Sequence, residues 1–257
     1  MKVLNYPITL LLILIGNACD KQDHIQYDDY NYKEFYEDGS IKVLADTING
    51  LFEGKVVEFS ENGLIAYSGS YHKSLRHGVH IKYYPNGFPK SDMYYVRDTV
   101  WGIQYNYYEN DSGKIKDKFI LVNNPRFFDE PFMVSIKQYD KEGKLANEKG
   151  RVVTYLEKDT VRMGEEFSIR FVLTKPEFDR YRVNIGNYSR GLILEDSVNY
   201  MTYEGYGHEA ELVFKATRLG VNYIRGYMDD YEIEANDSGY SELSTINNWF
   251  DIEYVVK

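Results

Sequence analysis

Ile81-Lys82-Tyr83-Tyr84-Pro85-Asn86-Gly87 decides the fold, because its pattern recurs along the chain. Phe35, Phe59 and Tyr83 stand four places before Gly39, Gly63 and Gly87, while Asp38, Asn62 and Asn86 stand immediately before them; each set steps by 24 residues. Gly54, Gly78 and Gly102 keep the same step. With glycine usage near 7%, uncorrelated positions would give these four coincidences on the order of 2 times in 100,000. Asp-Gly and Asn-Gly between strand-like runs predict a type I′ hairpin turn, in which both central residues take positive φ. The flanks read as strands: Val56-Val57-Glu58-Phe59 and Ile81-Lys82-Tyr83-Tyr84 enter turns, and Leu64-Ile65-Ala66-Tyr67 leaves one. Each unit is therefore a β-hairpin.

A fourth unit follows Gly102 as Gln104-Tyr105-Asn106-Tyr107-Tyr108, its turn stretched to Asn110-Asp111-Ser112-Gly113. A degenerate fifth reads Gln138-Tyr139-Asp140-Lys141-Glu142-Gly143-Lys144-Leu145. A lone hairpin is marginal in water, so the units must stack. Neighbouring strand residues point to opposite faces, so Tyr83-Tyr84, Tyr94-Tyr95 and Tyr107-Tyr108 put rings on both. One face should stack ring on ring as core, and the other should meet a partner. Tyr83, Tyr94, Trp101 and Tyr107 are the candidate contacts for a protein or a glycan.

Tyr83-Tyr84-Pro85-Asn86-Gly87, with a second glycine fifteen residues on, resembles the variant MORN repeat of bacterial proteins labelled YwqK-type antitoxins. The resemblance covers residues 32–122 and implies an elongated, singly layered stack of hairpins. It also implies the runner-up function, an antitoxin or immunity-like protein that neutralises a toxin by binding.

From Arg151 the 24-residue step disappears. Strand-like runs fall at residues 152–156, 167–173, 181–185, 192–194, 210–214, 221–227 and 250–256. Seven short alternating runs predict an antiparallel sandwich. Gly220-Val221-Asn222-Tyr223-Ile224-Arg225-Gly226 resembles the penultimate strand of immunoglobulin-like domains in exported bacterial proteins, although the intersheet cysteines are missing. Residues 123–150, with Pro125 and Pro131, are expected to connect the two parts. The fold class is thus all-β: a repeat ribbon over 35–122, then a sandwich over 151–257.

At the other end, Lys2 precedes the apolar run Ile8-Thr9-Leu10-Leu11-Leu12-Ile13-Leu14-Ile15 and the small stretch Gly16-Asn17-Ala18, which ends at Cys19. About eight apolar residues suit a secretory signal, whereas a spanning helix needs about 20. Cys19 is the only cysteine, so no intrachain disulfide or multi-cysteine metal site can form. The segment resembles a bacterial lipoprotein signal over residues 1–18, which implies acylation of Cys19 and a membrane held through that lipid. Residues 19–34 read as a polar tether. Asp20 and Asp23 resemble the surface-export tether of some Gram-negative lipoproteins, so the expected location is the outer membrane, facing either the periplasm or the cell surface.

The 257 residues carry 43% hydrophobic and 16% aromatic side chains, enough to bury a core and biased toward strands. A net charge of −10 opposes nucleic-acid binding, since each phosphate contact needs a cation. No Gly-x-Ser-x-Gly elbow, phosphate loop or His-Glu-x-x-His pattern occurs. His72, His77 and His80 read as exposed turn residues, with His24 in the tether and His208 far along the chain. Asp229, Asp230, Glu232, Glu234, Asp237 and Glu242 crowd a segment expected between the last two strands. Such density can hold calcium, but the spacing fails the EF-hand template and solvated surface is the reading taken. No metal, cofactor or catalytic residue is assigned, and the expected role is non-enzymatic binding or scaffolding.

Overall fold

A computed structural model describes residues 29–110, 113–122, 131–236, 239–244 and 247–257. These residues form strands and turns. The first sheet has eleven strands: β1 (Tyr32–Phe35), β2 (Ile41–Ile48), β3 (Leu51–Phe59), β4 (Ile65–His72), β5 (Leu75–Tyr83), β6 (Pro89–Val96), β7 (Thr99–Val100), β8 (Gly102–Tyr107), β9 (Ile115–Val122), β10 (Phe132–Tyr139) and β11 (Leu145–Gly150). They pair antiparallel in chain order, except that β8 passes β7 to reach β6. Part of the segment expected as a connection is therefore the end of this sheet, because β9, β10 and β11 pair in succession.

The turn chemistry corrects the expected type I′ geometry. At Gly39, Gly63, Gly87 and Gly143 the glycine takes positive φ, and its N–H donates to the carbonyl three residues back. Asp38, Asn62 and Asn86 do not share the positive φ. The register slips beside each turn, for instance between Lys82 and Tyr83. This is a type I turn closed by a glycine bulge. The Asx residue serves through its side chain: Asp38, Asn62 and Asn86 Oδ1 accept the backbone N–H of Ser40, Leu64 and Phe88 at 2.9, 3.2 and 3.1 Å.

Two-residue turns with positive φ at both positions do occur, at Asn49-Gly50, Lys73-Ser74 and Arg97-Asp98, again 24 residues apart. Two of these pairs lack glycine, and each is tied to an earlier strand. Ser74 N donates to Phe52 O at 2.8 Å, and Asp98 N donates to Arg76 O at 3.0 Å. One 24-residue unit is thus two strands, one bulged turn and one tight turn.

Nine more strands form two further sheets: β12 (Val152–Leu156), β13 (Thr160–Val161), β14 (Glu166–Leu173), β15 (Arg180–Tyr188), β16 (Leu194–Tyr206), β17 (Glu209–Lys215), β18 (Gly220–Asn236), β19 (Gly239–Ser244) and β20 (Asn248–Val256). A three-stranded sheet runs β12-β14-β17. A six-stranded sheet runs β13-β20-β18-β15-β16, with β19 on β18, and its β13–β20 pair is parallel. Alternation along β14 turns Phe167, Ile169, Phe171 and Leu173 inward, against Val183, Ile185, Ile224, Met228, Phe250 and Ile252 of the larger sheet. Rings meet across the two sheets, Phe167 on Tyr254 and Phe171 on Phe250, both at 4.8 Å. Each such buried side chain contributes roughly 1.5–3 kcal/mol.

The run expected as a strand over 192–194 instead begins with a turn. Leu192 N donates to Ser189 O at 3.0 Å, Leu192 takes φ 57°, and the strand starts only at Leu194. The physical reason is a contact between the two units. Leu192 is buried with Ile103, Ile120, Val122 and Val134 of the first sheet, and Trp249 packs on the same cluster. Beside it, Ile103 N donates to Arg190 O at 3.0 Å. Gly102 has φ 77°, and a Cβ there would collide with that same carbonyl oxygen, so only glycine fits.

Charge completes the junction. Lys118 of β9, 6% exposed, pairs with the buried Asp251 of β20, which also accepts Arg225 Nε at 2.7 Å. Burial pulls the Lys118 ammonium below its usual range, and the Asp251 carboxylate opposes that pull. Asp251 is itself held below the usual carboxylate range by Lys118 and Arg225, which overcome its burial.

Candidate functional site

Register separates the two faces of the first sheet. Leu44, Val57, Ser68, Ile81, Asp92, Tyr105 and Lys118 are successive cross-strand partners and so lie on one face. This is the face that Arg190 and Asp251 meet. Ala45, Val56, Gly69, His80 and Met93 form the neighbouring row, on the opposite face.

On that second face lies a groove of about 430 Å³, lined by residues of β3 to β6 that include Tyr67, Tyr71, Arg76, His80, Met93 and Tyr95. Its floor is His80, 3% exposed. The imidazole stands directly over Gly69, where a Cβ would collide with Nδ1, so the strand partner has to be glycine for the ring to lie down. His80 Nδ1 hydrogen-bonds the Tyr67 hydroxyl, which is 2.9 Å from the Tyr71 hydroxyl. His80 Nε2 is buried without a hydrogen-bond partner among the described residues. Burial lowers the imidazole's proton affinity, the chief cause, so the ring is neutral near pH 7. Burial also raises the Tyr67 phenol well above its ordinary value, keeping it a neutral hydroxyl.

Rings continue outward from the groove. Tyr32 meets Phe52 at 5.6 Å, Phe52 meets Tyr71 at 5.8 Å, Tyr71 meets His80 at 5.3 Å and His80 meets Tyr95 at 4.8 Å. The result is an aromatic stripe that crosses β3 to β6. Arg76 lies 4.2 Å over the Tyr95 ring and holds Asp98 at 2.9 Å. Lys82 and Lys90 line the same groove and are exposed; Glu58 is the single carboxylate among the lining residues.

The four aromatic candidates do not form one site. Tyr83 borders the groove, but its hydroxyl lies 3.3 Å from Ser68 Oγ, on the opposite face that carries Ser68 and Ile81. Tyr94 lies on that face as well, where the Gly191 Cα sits so close that a Cβ would come within 2.6 Å of the Tyr94 ring. An internal contact therefore covers it. Trp101 is half-buried; its N–H donates to Tyr94 O at 2.9 Å and its carbonyl accepts Gln104 Nε2. Tyr107 packs on Tyr105 at 6.3 Å and gives its carbonyl to the Tyr84 hydroxyl at 3.0 Å. Cys19 lies outside the described residues, as do His24 and Asp237.

The histidine reading needs correction as well. His72 ends β4 and pairs with Glu53 at 2.7 Å, His77 is exposed within β5, and His80 is buried in the same strand. The sequence does hold the signal for His80. Val56, His80 and Gln104 are 24 residues apart, and all three are buried.

The acidic segment is not a loop between the last strands. Asp229, Asp230, Glu232 and Glu234 belong to β18, and Glu242 to β19. Arg182 Nη2 reaches Asp229 Oδ2 at 2.6 Å and Glu242 Oε1 at 2.7 Å. Asp230 accepts the backbone N–H groups of Glu177 and Phe178, the latter at 2.9 Å. Among the described residues no group of three or more His, Cys, Asp or Glu is arranged to hold a metal ion, and no helix is long and apolar enough to cross a membrane. No known family model matches the chain, and no curated protein matches it.

Proposed function

We propose that this chain is an exported lipoprotein, held at a Gram-negative outer membrane through acylated Cys19, and that it works as a non-enzymatic binding module. Its first sheet is read as MORN-like hairpin repeats and its second unit as an immunoglobulin-like sandwich. The observation that carries the binding role is the division of labour between two faces. Asp92, Ile103, Tyr105 and Lys118 are occupied by the second unit, whereas among the described residues the Tyr67–Tyr71–His80–Tyr95 face has no such cover. An open aromatic concavity of this size, with a few converging polar groups, is the usual form of a ligand site.

Two measurements test the proposal. Metabolic labelling with a fatty-acid probe should mark the wild-type chain and leave Cys19→Ser unmarked; an unmarked wild type overturns the anchor. Affinity capture from envelope extracts should lose its specific ligand in Tyr95→Ser and keep it in Val213→Ser, a control on the exposed side of β17. Equal retention by both variants overturns the groove as the binding face.

A further inference from the structure

We propose, resting on the binding role above, that the groove takes an acidic saccharide, a chain of hexose rings bearing uronic-acid-type carboxylates. Three observations converge on that chemistry. First, the lining is phenolic. Tyr67, Tyr71 and Tyr95 each offer an apolar ring and a hydroxyl. A sugar has the complementary pair, a C–H face and a rim of hydroxyls, so each ring can stack on a tyrosine face while its hydroxyls exchange hydrogen bonds.

Second, the stripe from Phe52 through Tyr71 and His80 to Tyr95 keeps ring centres 4.8 to 5.8 Å apart. The rings meet tilted or edge-on, at 58 to 71°, and His80 between them is buried, so the part-exposed Tyr71 and Tyr95 flank the imidazole as two separate ring surfaces, which suits a ligand of more than one ring. The neutral His80 and the neutral Tyr67 add uncharged polar groups at its floor.

Third, local charge opposes the charge of the whole chain. The chain carries a net −10, yet the groove is lined by Arg76, Lys82 and Lys90 against Glu58. Arg76 is engaged with Asp98, which leaves Lys82 and Lys90 exposed at the rim. Two exposed ammonium groups beside a phenolic floor select a ligand that is at once hydroxyl-rich and anionic. A neutral glycan would leave the lysines' charge unanswered, and an acidic peptide would bring no sugar C–H face to Tyr71 and Tyr95. The rim charges are open to solvent, so the attraction is screened within about 10 Å at 0.1 M salt.

The test titrates the detergent-solubilised full chain with oligogalacturonate, with maltooligosaccharide of equal length and oligoglutamate as comparisons. Oligogalacturonate should bind most tightly, and more weakly as salt rises. Lys82→Glu/Lys90→Glu should weaken it roughly tenfold, the size expected when two exposed attractions become repulsions. Both positions are exposed, so the variant should keep the wild-type melting temperature. Absence of oligogalacturonate binding, or binding indifferent to the double variant, overturns the proposal. Maltooligosaccharide binding as tightly overturns the acidic requirement, and oligoglutamate binding as tightly overturns the saccharide. If these fail while Tyr95→Ser still loses its ligand from envelope extracts, the binding role stands and only the saccharide falls.

Discussion

Arg190 Nη1 donates to Asp92 Oδ2 at 2.7 Å, joining residues 98 positions apart in the chain. The same guanidinium donates through Nε to Ile103 O at 2.8 Å and through Nη2 to Asp92 O at 2.8 Å, and stacks 4.8 Å from the Tyr105 ring. One side chain from the β15–β16 turn thereby grips β6 and β8 together. That grip fixes which face of the first sheet is covered and which is left open.

Removing the grip should be costly. Arg190→Ala leaves Asp92, largely shielded from water, without its cation and frees the Ile103 carbonyl of one donor. A loss of about 2 kcal/mol or more is expected by urea unfolding. A double-mutant cycle with Asp92→Asn should give a coupling above about 1 kcal/mol. Additive losses would mean that the pair does not hold the units together.

Two glycines with nearly the same φ should respond differently. Gly63 has φ 79° with open space around its missing Cβ, so Gly63→Ala meets only the left-handed penalty, about 1 kcal/mol. Gly102 has φ 77° and faces the Arg190 carbonyl, so Gly102→Ala adds a collision to the same penalty. Denaturation midpoints should fall further for Gly102→Ala. Equal shifts would contradict the close approach of the two units at this point.

The repeat contains a staple with one rung missing. The Tyr36, Tyr84 and Tyr108 hydroxyls donate to the carbonyls of Phe59, Tyr107 and Tyr139 at 2.7, 3.0 and 2.8 Å, each tying one turn to a later hairpin. The equivalent position 24 residues after Tyr36 is Ser60, whose Oγ instead bonds Leu64 O at 2.8 Å. Tyr84→Phe should cost about 1 kcal/mol, and Ser60→Tyr should stabilise by a similar or smaller amount. Thermal melts of the two variants check both signs.

His80 makes stability depend on pH in a defined direction. Burial depresses its folded-state pKa, so the unfolded chain binds the proton more readily. The native state is therefore favoured fully above the unfolded value of about 6.5 and loses that advantage as the pH falls toward the folded value. His80→Gln, which copies the equivalent Gln104, should flatten this slope, so that the variant gains on the wild type between about pH 7 and 5. Parallel stability profiles would show that the ring is not buried as a neutral base.

Much of the first sheet was legible because its period is carried by residues that turns require. The Asx–Gly steps at Gly39, Gly63 and Gly87 located the bulged hairpins. They do not set the turn type, since Asn-Gly serves both a two-residue turn and a type I turn with a glycine bulge. Only the register, shifted beside Phe59 and Tyr83, separates the two. The tight turns at Lys73-Ser74 and Arg97-Asp98 left no composition signal, because hydrogen bonds to the previous hairpin offset the cost of positive φ without glycine.

The site was only half legible. The aromatic pairs mark where rings lie, but Tyr83 and Tyr84, like Tyr94 and Tyr95, look alike in sequence and face opposite ways. Which of Tyr94 and Tyr95 is covered is decided by Gly191, nearly a hundred residues later. Nothing local in sequence sets His80 apart from the exposed His72 and His77, although the buried positions of Val56 and Gln104 mark its place in the repeat.

The most direct test of the central claim, that the Tyr71–Tyr95 face meets the ligand, is hydroxyl-radical footprinting of the protein in its native envelope and after purification. Tyr71, Met93 and Tyr95 should be protected in the envelope, with Tyr155 and Tyr206 of the second unit unchanged. Unchanged labelling along the groove, with protection at Tyr155 and Tyr206 instead, would contradict it.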